Sequence, residues 1–220
     1  MQPTTLIIGG TSGIGLATKE LLSTQGHEVL VTSRDQFDAT RPDSSLSIPD
    51  QLDGLVYCPG TITLKPFHQL SEENFFNDFQ INLLGATRVL KQALPALKKS
   101  PNASVVLFST VAVKSGMPYH ASISAAKGAI EGLTRSLAAE WAPKIRVNAI
   151  APSLTETRLA SALLGDEKRR EAAAARHPSK SIGRPEDVAA LVNFLLSDSA
   201  RFTTGQILRP DGGMSSLRLF

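Results

Sequence analysis

Nine consecutive residues near the amino terminus, Ile7-Ile8-Gly9-Gly10-Thr11-Ser12-Gly13-Ile14-Gly15, constrain this chain more than any other stretch. They follow the β-branched run TTLII and open a segment of helical period, so three glycines stand in a turn between a strand and a helix. In that setting Gly9 makes the tight turn, Gly13 lets backbone N–H groups approach a pyrophosphate, and Gly15 permits close packing of the helix. The helix N-terminus adds unpaired donors and the positive end of its dipole. Gly9, Thr11, Ser12, Gly13, Ile14 and Gly15 are therefore the expected phosphate-binding residues.

The rest of the chain repeats the same alternation. TTLIIGG, HEVLVTS, LDGLVYCPG, SVVLFST, IRVNAIAP and GQILRPDGG read as strands. Gly13–Gln25, Glu72–Leu97, Ser122–Trp141, Thr157–Arg176 with a break, and Arg184–Leu196 read as helices. Strands separated by helices predict an α/β fold: one doubly wound Rossmann domain over residues 1–220, its mostly parallel sheet covered by helices on both faces. The polar segment 34–52 is too short for a complete helix and strand; a third strand is expected near Phe37–Thr40, with its covering helix trimmed away. In such a sheet the ligand site lies at the carboxyl ends of the strands.

Composition excludes several other classes. With 23 Lys and Arg against 20 Asp and Glu, the net charge of +3 is small and scattered, which argues against a nucleic-acid or anionic-membrane partner. The single cysteine, Cys58, forms no internal disulfide and belongs to no metal-ligand cluster. No run of about 18 apolar residues occurs, and MQPTTLIIGG enters a strand without a charged leader, so a cytoplasmic protein is expected.

After the second strand an acidic side chain would accept a ribose 2′-hydroxyl, whereas a cation would hold a 2′-phosphate. Ser33 and Arg34 occupy that position, which favours NADP(H) over NAD(H).

From end to end these motifs resemble the short-chain dehydrogenase/reductase family. The glycine loop has the family spacing, with Ile8 where threonine is usual, and Asp38 resembles the residue that contacts the adenine. Tyr57–Gly60 departs from the family's Asn-Asn-Ala-Gly turn, although Gly60 matches its last residue. Asn82 in INLLGA resembles the helix asparagine, Lys127 in SAAKGAI the active-site lysine, and IRVNAIAPSLTET the segment beside the nicotinamide. The resemblance thus assigns cofactor contacts to Lys127, Pro152, Ser153, Thr155 and Thr157, with Ser153 replacing the usual glycine.

The family's mechanism uses a serine on the substrate oxygen, a tyrosine that passes the proton, a lysine that lowers the tyrosine pKa, and an asparagine that holds a relay water. Here the four positions read Asn82, Thr110, Ile123 and Lys127, with Ser109 an alternative to Thr110. Isoleucine has no proton to give. His120 and Tyr119, in the loop entering the same helix, are candidate substitutes; Ser122 and Ser124 are poorer acids. Tyr119 misses by one residue the spacing of the enoyl reductase branch. Residues 155–180 read as a mobile lid over a small-molecule substrate, and the resemblance implies a homodimer or homotetramer. Three functions fit: an NADP(H)-dependent oxidoreductase, a non-catalytic NADP-binding sensor, scaffold or partner subunit, and a non-redox dehydratase or isomerase.

Overall fold

The computed structural model describes residues 2–218. Short β-branched runs form β1 (Thr4–Ile8), β2 (Glu28–Thr32), β3 (Gly54–Tyr57), β4 (Ala103–Phe108), β5 (Ile145–Ile150) and β6 (Ile207–Leu208). All pair in parallel, in the order β2-β1-β3-β4-β5-β6. The helices are α1 (Gly13–Thr24), α2 (Glu72–Phe79), α3 (Gly85–Leu97), the short α4 (Ala112–Ser115), α5 (Ala121–Trp141), α6 (Glu167–Ala175) and α7 (Pro185–Leu196). A π-turn, Gln80–Leu84, joins α2 to α3.

Strand periodicity divides the core between two faces. Leu6, Ile8, Leu55, Tyr57, Val105 and Leu107 pack with Val89, Ala93 and Leu97 of α3 and Ile130 of α5. Ile7, Val56, Val106 and Phe108 turn the other way, onto Leu22 of α1 and Val188, Val192 and Leu195 of α7. Both faces of β1, β3, β4 and β5 are thereby covered, so these strands are buried on both sides, and the polar Thr5, Ser104, Arg146 and Asn148 within them are buried too. Each large side chain fully buried here contributes about 1.5–3 kcal/mol of transfer free energy.

The structure corrects one element of the sequence reading. No strand forms at Phe37–Thr40, and β2 is the sheet edge. The segment still alternates in burial as a strand would, since Phe37 and Ala39 are buried while Asp38 and Thr40 are only partly so. The backbone groups, however, are bonded to side chains instead of a neighbouring strand. Asp38 Oδ1 accepts from Thr40 N at 2.8 Å, and Arg88 of α3 donates to Ala39 O at 2.7 Å. Gln92 of α3 accepts from Leu46 N and donates to Ser44 O, while Leu46 and Ile48 pack against the core. Side chains of α3 thus secure the segment that a further strand and helix would otherwise fill.

The expected break in the lid falls at Leu164–Asp166, between a 3-10 turn at Arg158–Leu163 and α6. Ala160, Leu164 and Ala173 form a separate small apolar cluster there with Leu154 and Ile182. Among the described residues no helix is long and apolar enough to cross a membrane.

Helix α3 approaches β3 closely through Gly85: a Cβ there would overlap Tyr57 Oη and lie 2.8 Å from Ala39 Cβ. Tyr57 Oη uses that space to donate to Ile81 O at 2.6 Å. We predict that Gly85→Ala destabilises the protein by about 1–3 kcal/mol, the usual cost of overpacking. Adding Tyr57→Phe, which removes the overlapping oxygen, should recover part of the loss. Thermal unfolding of the three proteins measures this, and an unchanged midpoint in Gly85→Ala would refute the close approach.

Candidate active site

The strand order reverses between β1 and β3, and the loops leaving these two strands form the first part of the site. Gly9 N donates to Thr32 O at 2.9 Å and Cys58 N to Ile8 O at 3.0 Å, so the loops begin side by side. Gly9 (φ +77°) and Gly13 (φ +53°) adopt the left-handed conformation that other residues disfavour. Gly15 has no room for a side chain, because a Cβ would overlap Gly9 O. Ser12 precedes α1 in extended conformation with its side chain making no cap bond, which leaves the first-turn N–H groups of α1 unclaimed by it. Thr11 is exposed at the crest of the loop, and Ile14 faces the cavity described below.

After β2 the chain turns through Ser33, whose carbonyl accepts from Gln36 N and Phe37 N. The Arg34 side chain is exposed just beyond the strand end. Asp38 lies near it; hydrogen bonds from Thr40, then the charges of Arg34 and Arg41, hold its carboxyl below the usual range.

A cavity of about 320 Å³ opens beside the loops. Thr110, Ile123 and Lys127 form one wall, Cys58–Ile62 another, Pro152–Thr155 and Thr157 a third, and lid residues Leu159, Ala160, Leu163, Ala173, Arg176 and His177 close it. Thr157 also caps the 3-10 turn, its hydroxyl accepting from Ala160 N at 3.3 Å.

Lys127 is buried on α5, and its Nζ donates to Phe108 O, at the end of β4, at 2.9 Å. Burial lowers its pKa to about 8, opposed by Cys58 and by the charge of Asp78. Burial likewise pushes the Cys58 thiol up to about 12 despite the nearby Lys127, so Cys58 is a packing residue with no thiolate character at neutral pH. Asn82 sits in the π-turn, a local widening of the helix often found at functional sites. Its Nδ2 donates to Asp78 O at 2.7 Å and Thr61 Oγ1 at 2.8 Å, while its buried Oδ1 has no partner. A Cβ at Gly60 would lie 3.3 Å from that oxygen and 3.5 Å from Lys127 Nζ, so glycine keeps the space between loop, amide and ammonium open.

The two hydroxyls after β4 differ in their partners. Ser109 Oγ donates to buried Glu131 at 2.9 Å, whereas Thr110 Oγ1 accepts only a long bond from Ala112 N at 3.4 Å. Thr110, the residue expected from the spacing, therefore has the hydroxyl free to donate into the cavity. Ile123 lines the same wall and is buried.

The structure separates the two substitutes for the missing tyrosine. His120 reaches the cavity, its Nδ1 lying 2.7 Å from Pro118 O. Tyr119 does not line it: its backbone stands at φ +70° and its side chain is 59% exposed. Ser122 is committed to Asp78 Oδ2 at 2.7 Å, and Ser124 Oγ is buried without a partner.

Two groups had no motif to announce them. Asp78 is fully buried and accepts from Thr61, Thr63 and Ser122, tying the loop after β3 to α2 and α5. His177, just after α6, is 2% exposed; its Nε2 lies 2.7 Å from Ser153 Oγ and its Nδ1 2.9 Å from Ala173 O. A lone histidine distant in sequence from the other site residues carries no signal of its own. The substitution Ser153 was visible, but its partner was not. Pro152 O accepts from Val111 N, and Thr155 Oγ1 donates to Ser153 O, which fixes the loop between them. Among the described residues no group of three or more His, Cys, Asp or Glu could hold a metal ion.

Comparison with known proteins agrees with this fold. The family model described as enoyl-(acyl carrier protein) reductase matches residues 31–215. A tropinone reductase homolog of Arabidopsis thaliana is 34% identical over 240 residues, covering 96% of this chain and 92% of the relative. The ligand-free aldohexose dehydrogenase of Thermoplasma acidophilum superposes with a TM-score of 0.88 at 27% identity, covering 100% of this chain and 96% of its own. ElxO with NADP bound gives 0.87 at 26% identity, covering 99% and 100%. The chain belongs to the short-chain dehydrogenase/reductase family, and its sheet, helices and loops are those of that family's Rossmann domain.

Proposed function

We propose that this chain is an NADP(H)-dependent oxidoreductase acting on a carbonyl, an alcohol or a conjugated substrate, through a site in which isoleucine replaces the usual tyrosine. The observation that carries the reading is the space kept open at Gly60, bounded by Lys127 Nζ and by the unpartnered Asn82 Oδ1 and continuous with an apolar cavity. A catalytically silent nucleotide carrier has no need of an orphaned buried amide oxygen beside a cavity, since such a group costs about 1–3 kcal/mol when left unsatisfied.

The residues present suit a dinucleotide. Gly9, Thr11, Ser12, Gly13, Ile14 and Gly15 would hold the pyrophosphate on the uncapped start of α1. Ser33 and Arg34 would face the 2′-phosphate, Asp38 the adenine, and Gly60, Lys127, Pro152, Ser153, Thr155 and Thr157 the nicotinamide end. When bound, the reduced cofactor supplies a hydride. The chain's own residues do the rest. Thr110 donates a hydrogen bond to the substrate oxygen, Lys127 contributes positive charge, and Asn82 Oδ1 holds a water. The lid over 155–180 excludes solvent with Leu159 and Leu163. The apolar walls fit a substrate with a hydrophobic body and one polar reacting group. The reading includes a homodimer or homotetramer in the cytoplasm, as in the resembled family.

Nicotinamide fluorescence titrations test the cofactor assignment. NADPH should bind more tightly than NADH, and Arg34→Asp should cost NADPH about tenfold or more in affinity, the scale of a lost charge-assisted hydrogen bond. Equal weakening of both cofactors would remove Arg34 from the 2′-phosphate site.

The chemistry is tested by following NADPH oxidation with a panel of carbonyl and enoyl compounds. Turnover of any member supports an oxidoreductase; tight binding with no turnover supports the non-catalytic and non-redox readings instead. Ile123→Tyr should create or raise carbonyl reduction by about 10²-fold or more, the range of a positioned general acid. A folded, NADPH-binding Ile123→Tyr variant without carbonyl reduction would refute the assumed arrangement of Thr110 and Lys127.

A further inference from the structure

Resting on the oxidoreductase reading, we propose that Ser153 and His177 form the proton relay of this site: the Ser153 hydroxyl serves the substrate oxygen and His177 recharges it. The pair lines the cavity together with Thr110, Ile123 and Lys127. Ser153 lies just beyond the carboxyl end of β5, and His177 comes from the lid segment opposite, so the two bond across the cavity wall.

Geometry fixes the protonation states. Nδ1 faces the Ala173 carbonyl at 2.9 Å, and a carbonyl oxygen only accepts, so Nδ1 carries a proton in every state. In neutral His177 the other nitrogen, Nε2, is an acceptor, and the Ser153 hydroxyl donates to it at 2.7 Å. When His177 is protonated, Nε2–H donates to Ser153 Oγ instead, and the hydroxyl proton turns toward the cavity. Met214 Sδ, 3.5 Å from Oγ, is the hydroxyl's one other recorded contact and a weak acceptor. Either protonation state therefore keeps both ring hydrogen bonds, and the change between them needs only rotation of one hydroxyl. A hydroxyl held by an oriented imidazole is the general arrangement by which enzymes make a weak acid useful.

The step balances as follows for reduction. The hydride adds to the carbonyl carbon, and the carbonyl π pair moves to oxygen. That oxygen takes the Ser153 proton while Ser153 takes the Nε2 proton of His177, leaving a neutral alcohol and a neutral imidazole. A solvent proton entering the cavity is then taken up by Ser153 Oγ as the Ser153 hydroxyl proton passes to Nε2, which restores protonated His177 through the same hydrogen bond. Oxidation runs the same transfers backwards.

The relay differs from His120 in being buried and bonded at both nitrogens, whereas His120 stands at the solvent side of the cavity with one recorded contact. The titratable or charged groups on the elements around His177 are Arg176 and Lys180 on its own segment, Asp211 beside the Gly212 that packs on the His177 side chain, and, lining the same cavity, Lys127 of α5, His120 just before α5, and Cys58. Among the described residues none of these is recorded as bonding the ring, whose partners are both neutral.

The first test needs no substrate. Histidine ¹⁵N NMR of the wild-type protein, assigned with His177→Gln, should show neutral His177 as the Nδ1–H tautomer. Ser153→Ala should move its Nε2 resonance. An Nε2–H tautomer, or an Nε2 resonance that Ser153→Ala leaves unmoved, overturns the relay.

The second test uses NADPH and whichever panel carbonyl the wild type reduces. His177→Gln and the smaller change Ser153→Ala should each lower kcat about 10²-fold or more, and in His177→Gln, which touches no cofactor-binding residue other than Ser153, NADPH affinity should stay within about twofold. Reduction takes up a proton and oxidation releases one, so the wild-type reduction rate should fall and the oxidation rate rise with increasing pH; both variants should flatten that dependence. Ile123→Tyr added to His177→Gln should restore the rate. If His120→Gln abolishes turnover while His177→Gln and Ser153→Ala leave rate and pH profile unchanged, the relay is wrong and the oxidoreductase reading stands. A wild-type protein that binds NADPH and reduces nothing overturns both.

Discussion

The contact on which the rest of the architecture depends is the one between Gly15 and the Gly9 carbonyl. A side chain at position 15 would overlap that oxygen, so the start of α1 can lie against the end of β1 only because both residues are glycine. This closeness directs the first turn of α1 toward the carboxyl edge of the sheet, at the point where the strand order reverses. Everything else in the site is measured from there. The loops after β3, β4 and β5 meet above the same edge, and the lid descends onto them.

Two buried charges occupy this edge, and the structure treats them differently. Asp78 is surrounded by three hydroxyls, which satisfy its oxygens without an ion pair. Lys127 has one carbonyl acceptor, and burial disfavours its charged form, so it remains responsive to whatever stands beside it. The first charge is structural, fastening the loop after β3 to α2 and α5. The second is left under-satisfied next to an open space. That asymmetry distinguishes a polar network that holds the walls together from a group poised toward a ligand.

Much of this was legible in the sequence, because the features involved are local. The glycine spacing, the β-branched runs and the helical segments each report on their own neighbourhood, and the sheet and the break in the lid follow from them, whereas Thr110, Ile123 and Lys127, which line one cavity wall, were singled out by the family resemblance. The reading failed where the outcome was decided at a distance. Phe37 and Ala39 alternate in burial as a strand would, yet the Ala39 carbonyl is bonded to Arg88 and the following Ser44 and Leu46 backbone to Gln92, side chains of α3 that sequence order does not bring near. Tyr119 and His120 are adjacent in sequence, but the left-handed backbone at Tyr119 turns one outward and leaves the other at the cavity. His177 was invisible because its meaning lies in a contact with Ser153, 24 positions away.

The absence of a strand outside β2 has a consequence for how this protein can change over time. Arg34, Asp35 and Gln36 stand on a turn at the sheet edge with exposed side chains, and the core beneath is filled by Phe37 and Ala39. Substitutions at such surface positions usually alter stability by no more than about 0.5 kcal/mol. The charge presented at this end of the site can therefore drift, reverse and be selected again without a compensating change in the core. The opposite end has no such freedom: Asn82 and Lys127 are buried, and Gly60 is hemmed in by both. For stability alone, one end of the site tolerates substitution and the other does not.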